Sequence, residues 1–428
     1  MSNPTAPSKP SVSWRRNLAV IWFAELIAIA GFTVVMPLLP LYLSELGVAG
    51  ERATRIWAGL MFFGHSVMMG ILGPIWGALG DRYGRKLMVE RAMFAGAVLI
   101  GLMGLATNAP QLALLRMAQG GLTGTITAAN ALVATTTPRK RAGFALGLLQ
   151  VAIYMGASVG PLLGGLVADS LGYRAAFWTT GALLFVAGLG VLALVEDPFR
   201  RGVPSGRERT SARAHELTLR QRVWGHLSPI LSLPSLLAVL GVNLLMRLGA
   251  RLMVPVLPLF VQEIVPPGAR VASINGLISG AGALAGAVGA LGLGWLGDRL
   301  GSRAILVTSA LVSIACYVPQ YFVTETTSLL LLQAGTGLAM GGLLTSLSAF
   351  LARVSPEGQE GIVYGVETSV TATANAIGPM MGSLLAAWLG LRVPFLVAAG
   401  IFGLAGLAAM RLLPGRNVDR GHGQPPLP

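Results

Sequence analysis

Apolar residues in this chain come in long runs, without the two-residue alternation of strands and without a single apolar stripe on polar helices. Twelve runs stand out: residues 18–41, 56–79, 87–106, 112–135, 143–168, 175–195, 235–261, 272–296, 304–323, 328–351, 362–388 and 393–413. Each is long enough for a helix to cross the roughly 30 Å of bilayer hydrocarbon. Lipid satisfies no backbone polar group, so such segments must be α-helical. The pattern, numbered here as spans 1 to 12, predicts an all-α integral membrane protein. Residues 197–233 are the one long polar interruption. They divide the chain into a tail (1–16), a six-helix bundle (17–196), a linker (197–233), a second six-helix bundle (234–413) and a second tail (414–428). Within the linker, Glu216 to Leu227 mixes Leu, Val and Trp with Arg. It reads either as a helix lying on the membrane face or as a flexible tether.

The two bundles repeat one another. MPLLPLY (Met36 to Tyr42) returns as VPVLPLF (Val254 to Phe260), GPLLGG (Gly160 to Gly165) as GPMMGS, and GYRAAF (Gly172 to Phe177) as GLRVPF, all at an offset of 218. Parallel repeats of this kind predict two bundles facing each other, with a substrate site near the midplane and transport by rocking.

Charge fixes the orientation. Only 11% of residues are charged, against 54% hydrophobic, and the formal net charge is +14. Lys and Arg crowd the connections on the N-terminal side: Arg82, Arg85 and Lys86; Arg139, Lys140 and Arg141; and seven arginines between Arg200 and Arg222. The opposite connections hold Arg52, Arg55, Arg174, Arg270 and Arg392. By the positive-inside rule both termini are cytoplasmic. The same placement explains the basic balance as topology and argues against a nucleic-acid partner. The polar N-terminus lacks an apolar signal core, so span 1 reads as a retained helix. Cys316 is the only cysteine, which excludes a disulfide framework. No metal-ligand spacing, phosphate-cradling loop or nucleophile–base set is present, so neither an enzyme nor a bound cofactor is expected.

Between spans 2 and 3 lies GALGDRYGRK, which reads as a glycine-broken, charged turn: Gly77, Asp81, Arg82, Gly84, Arg85 and Lys86. A weaker copy, GWLGDRLGSR, carries Asp298 and Arg299, with Ser302 where the first copy has Arg85. The first copy meets every fixed position of G-x-L-x-D-R-x-G-R-K, and on it the chain resembles the major facilitator superfamily. Gly31 with Pro37 and Pro40, and the sequences ATTTPRKRAGFALG and MPLLPLY, resemble its twelve-helix drug:proton antiporter branch, in particular the MdtG-type multidrug resistance proteins. Span 4 carries Arg116, Gln119 and Gly120 in the family pattern L-x3-R-x2-Q-G, tied there to proton transfer. Span 5 carries Gly156, Gly160, Pro161, Gly164 and Gly165 in the pattern that marks antiporters. The resemblance implies proton-driven transport without ATP, and a role for Asp81 in locking the cytoplasmic side shut.

The residues themselves suggest where coupling sits. Glu25 in span 1 lies about 10 Å inside the membrane by helical rise. A charged carboxylate there costs about 2.5–3.5 kcal/mol on insertion scales, which makes it a candidate proton and substrate site. Arg116 keeps its charge and is expected to tune a neighbouring carboxylate; the alternative is an arginine reaching to the interface. Asn243, Arg247 and Arg251 share one face of span 7 and are a possible substrate cavity. Glu367 in span 11 is the deep carboxylate of the second half, but its depth differs from that of Arg247 by about two turns, which argues against a direct pair. His65 reads as a packing residue. The expected function is export of amphipathic drugs in exchange for protons by a monomer. An uptake permease for a sugar or organic acid, or a lipid flippase of the same fold, is the alternative.

Overall fold

The computed structural model describes residues 13–138, 141–197, 234–355 and 360–413. Most of both tails and most of the linker, including 216–227, lie outside the described residues. Every regular element described is an α-helix: α1 (Trp14–Glu45), α2 (Glu51–Tyr83), α3 (Arg85–Met103), α4 (Ala109–Leu122), α5 (Thr125–Thr136), α6 (Ala142–Leu171) and α7 (Tyr173–Leu194) in the first half. The second half has α8 (Pro234–Leu252), α9 (Val256–Ile264), α10 (Val271–Leu300), α11 (Ser302–Gln320), α12 (Thr326–Val354), α13 (Glu360–Leu389) and α14 (Val393–Leu412). Two of the twelve spans are each broken in two. Span 4 is α4 plus α5, interrupted at Thr123 and Gly124, where Gly124 takes φ +133° and leaves the helix. The stretch Gly120 to Thr125, expected to be helical throughout, therefore is not. Span 7 is α8 plus α9, interrupted over Met253–Pro255, where the Pro255 ring cannot continue the ladder.

Nine spans are long and apolar enough to cross a membrane on composition alone, among the described residues. The remaining three are α3, α4 with α5, and α13; the last two hold Arg116 and Glu367. Each half has its own apolar core. One gathers Leu38, Tyr42, Met93, Phe177 and Leu184; the other gathers Met246, Phe260, Leu306, Phe395 and Phe402.

The expected turn between spans 2 and 3 is much tighter than its motif. Helix α2 runs on through Gly77, Asp81 and Arg82 to Tyr83, and Gly84 alone, at φ +106°, makes the bend before α3 begins at Arg85. Charged residues past the hydrocarbon can stay helical, because water there serves the side chains while the helix serves its own backbone. The copy behaves alike: Asp298 and Arg299 lie in the last turn of α10, and Gly301 turns at φ +95°.

The halves meet mainly through α2 with α13 and α6 with α10, and α1 adds smaller contacts to α9 and α10. We call the end where α1 begins and α14 ends the base. Between the middle and the far end the halves touch closely. Ser66 Oγ donates to the Asn375 carbonyl at 2.9 Å, Arg55 Nη1 to the Ala386 carbonyl at 3.0 Å, and Ser158 Oγ to the Gly280 carbonyl at 3.0 Å. Toward the base the same four helices diverge: Gly73 and Gly77 of α2, Gly147 of α6, Gly292 of α10 and Gly365 of α13 all face open space. The molecule is sealed at the far end and open at the base.

Candidate coupling and substrate site

Glu25 is fully buried in the first half. The break in span 4 turns α5 so that Thr125 Oγ1 donates to Glu25 Oε1 at 2.9 Å. The other oxygen, Oε2, is buried with no hydrogen-bond partner among the described residues. Arg116, also buried, does not reach this carboxyl. Its Nη1 donates to Gln119 Oε1 one turn on along α4, its guanidinium lies 5.7 Å from the Phe62 ring, and its Nε and Nη2 are buried without partners among the described residues. The interfacial alternative for Arg116 is thereby removed, and so is direct contact with Glu25. His65 Nδ1 sits 3.2 Å from the Arg116 carbonyl, a packing bond between α2 and α4.

The second half corrects an expectation. Arg247 and Glu367 do form an ion pair, Nη2 to Oε1 at 2.9 Å. Side chains on a helix lean toward its N-terminus, and Arg247 lies back along α8 with Nε donating to Asn243 Oδ1 at 2.8 Å. That removes one of the two turns of depth thought to separate the pair; the reach of the two side chains covers the rest. Glu367 Oε1 also accepts from Thr371 Oγ1 at 2.9 Å and from Asn243 Nδ2 at 3.4 Å. Asn243 is the repeat counterpart of Glu25, so at this level the first half places an acid on span 1 and the second draws one from span 11.

Arg251, one turn beyond Arg247, is not part of that pair. It borders a cavity of about 300 Å³ between the halves, lined by α1 and α6 on one side and by α8 to α12 on the other.

The glycine row of span 5 has two partners. A Cβ at Gly156 or Gly160 would meet backbone of α1 at 2.8 Å (Leu26 carbonyl) or 2.4 Å (Ala30 carbonyl). One at Gly165 would meet the Ala272 carbonyl of α10, in the other half, at 2.2 Å. The row therefore fixes close packing within the first half and also contributes to the seal between halves. Beside it sits a residue that the sequence reading missed. Asp169, in the last turn of α6, accepts the backbone N–H groups of Ala272 at 3.2 Å and Ser273 at 2.6 Å, at the start of α10. An acid in a helix's last turn opposes that helix's dipole while suiting the N-terminus of another, and this was the available cue.

At the base, Arg85 Nη1 donates to the Ala131 carbonyl at 2.9 Å and Lys86 Nζ to the Leu192 carbonyl at 2.8 Å. Asp197 Oδ2 accepts the N–H groups of Arg85 and Lys86, both at 3.1 Å, which caps α3. In the copy, Arg299 stacks 3.9 Å from the Trp295 ring. The loop residues thus tie the first bundle's own helices together.

Comparison with known proteins places the architecture. The sequence profile of the Major Facilitator Superfamily matches residues 21–265 and 239–425. The multidrug resistance protein MdtG of Salmonella arizonae is 35% identical over 92% of this chain and 95% of its own length, and that of Salmonella typhimurium matches to the same degree. Among solved structures, a bacterial homolog of the human lysosomal transporter Spinster, inward-facing and unoccupied, superposes with TM-score 0.73 at 15% identity, over 96% of this chain and 100% of that one. A D-xylose–proton symporter gives TM-score 0.70 at 14% identity, over 93% and 96%. These two share the fold alone, whereas the profile and the MdtG proteins extend the likeness to sequence along nearly the whole chain. This multi-pass membrane protein therefore belongs to the major facilitator superfamily, and it is a secondary transporter of small molecules, driven by an ion gradient, rather than an enzyme.

Proposed function

We propose that the protein exports amphipathic toxic compounds across the bacterial cell membrane in exchange for protons, with the base facing the cytoplasm. The observation that carries this reading is Glu25: a fully buried carboxyl held by one hydroxyl, with its second oxygen free and no cation bonded to it among the described residues. A carboxyl in a closed ion pair is committed to its partner, as Glu367 is. One that is free can take a proton in one state and release it in another. The likeness to MdtG multidrug resistance proteins supports a drug-like cargo, and the span-5 pattern supports exchange over uptake.

The cycle then needs two movements. Proton binding at Glu25 biases the equilibrium between the base-open state and its opposite, as any ligand with unequal affinity for two states does. The halves rock about the contacts of α2 with α13 and α6 with α10.

Efflux of a panel of amphipathic dyes, cationic and anionic, is to be followed from cells expressing the wild type and Glu25→Gln, with and without a proton uncoupler. Uncoupler-sensitive efflux that disappears in the variant is expected. Efflux unchanged in Glu25→Gln would remove Glu25 as the proton site, and accumulation of dye in place of efflux would convert the reading to an uptake permease.

A further inference from the structure

The cavity between the halves has one charged side chain on its wall, Arg251, and no carboxylate. Its nearest charged neighbour, Arg247, is already neutralised by Glu367. The Arg251 guanidinium makes no hydrogen bond or ion pair among the described residues. The side-chain amide of Gln333, on α12, lines the same cavity and is equally without a partner among the described residues. The rest of the wall is mostly apolar, with Met36, Met253, Leu257 and Met340, and adds the hydroxyls of Thr33, Ser279, Tyr317 and Thr336. Thioethers and Leu adapt to varied shapes, whereas a guanidinium presents a fixed fork of donors that fits a carboxylate, sulfonate or phosphonate two bonds at a time. An uncompensated guanidinium between apolar walls is costly unless something anionic comes to it.

We propose that this cavity is the cargo site and that it selects amphipathic compounds carrying an acidic group, with Arg251 as the anion-binding residue and Gln333 as a second donor. The proposal rests on the export reading only for calling the bound compound cargo; recognition itself is independent of coupling.

The test is equilibrium binding to purified full-length protein in detergent, using dansylglycine and its methyl ester, which differ chiefly in charge. For the wild type the acid is expected to bind at least tenfold more tightly than the ester. In Arg251→Gln the acid falls to the affinity of the ester while ester binding stays within about twofold, which also reports that the variant is folded. Arg251→Lys retains part of the preference, as a point charge does without the fork. Binding in detergent carries no proton gradient, so failure of proton coupling, read in the efflux assay, and failure of anion selection are read separately. Equal binding of acid and ester by the wild type, absence of saturable acid binding, or an acid preference that survives in Arg251→Gln each overturns the proposal. Should Arg251→Gln not accumulate, the wild-type ratio and Gln333→Leu, expected to weaken the acid more than the ester, decide it.

Discussion

Glu367 is the residue on which the second half's polar cluster depends. Its Oε1 alone receives Arg247, Thr371 and Asn243. Glu367→Ala leaves Arg247 without its anion, and the expected loss is about 3 kcal/mol, the low end for breaking a buried pair because both side chains keep some exposure. The double variant Glu367→Leu/Arg247→Met is expected to recover most of that loss, and thermal unfolding of the purified proteins in detergent measures both. An additive double variant would mean that the pair contributes nothing as a pair. The sequence made the residue types here legible but not their pairing. Depth counted along a helix ignores the direction in which a long side chain leans, and Arg247 leans a full turn. Arg116 shows the same limit in reverse: its burial could be expected, yet the break at Gly124 delivers Thr125, and not the guanidinium, to Glu25.

Among the elements, α6 and α10 set how tightly the far end closes. A Cβ at Gly276 would sit 2.2 Å from the Pro161 carbonyl. Backbone cannot give way as a side chain can, so Gly276→Val is expected to force α10 from α6. Spin labels at Leu163 and Leu277, with Cys316 changed to Ser, should report a distance longer by several ångströms than in the parent. An unchanged distance would show that the halves do not seal along this line. The spans themselves were legible, because a bilayer demands long apolar runs and permits only helices. Their breaks were less so. A glycine or proline inside an apolar run is compatible with a straight, a kinked or an interrupted helix, and neighbouring helices decide which. The charged motif at the base reads as a loop because charge marks the membrane surface, but charge leaving lipid does not end a helix.

For the molecule as a whole, closure at one end and opening at the other make an accessibility test. Single cysteines at Gly77 and Gly147, which face open space, are expected to react readily with a membrane-impermeant maleimide applied from the base side. Cysteines at Ser66 and Ser158, whose hydroxyls bond across the halves, should react far more slowly. Equal labelling would mean that the base-open state is not the resting one. The repeats and hydropathy announced two facing bundles, while the direction in which they tilt left no trace in the sequence, since both states use the same helices. Asp169 gives this seal an unusual inheritance. The group that accepts is a side chain, but the groups that donate are the main-chain N–H groups of residues 272 and 273. Substitutions at those two positions, proline apart, leave the donors in place, whereas any change at position 169 that removes the acceptor abolishes the bond. Heritable control of this fastening is thus held by one codon on one half, and a lineage could retune the time spent open by altering that codon without disturbing either bundle's core.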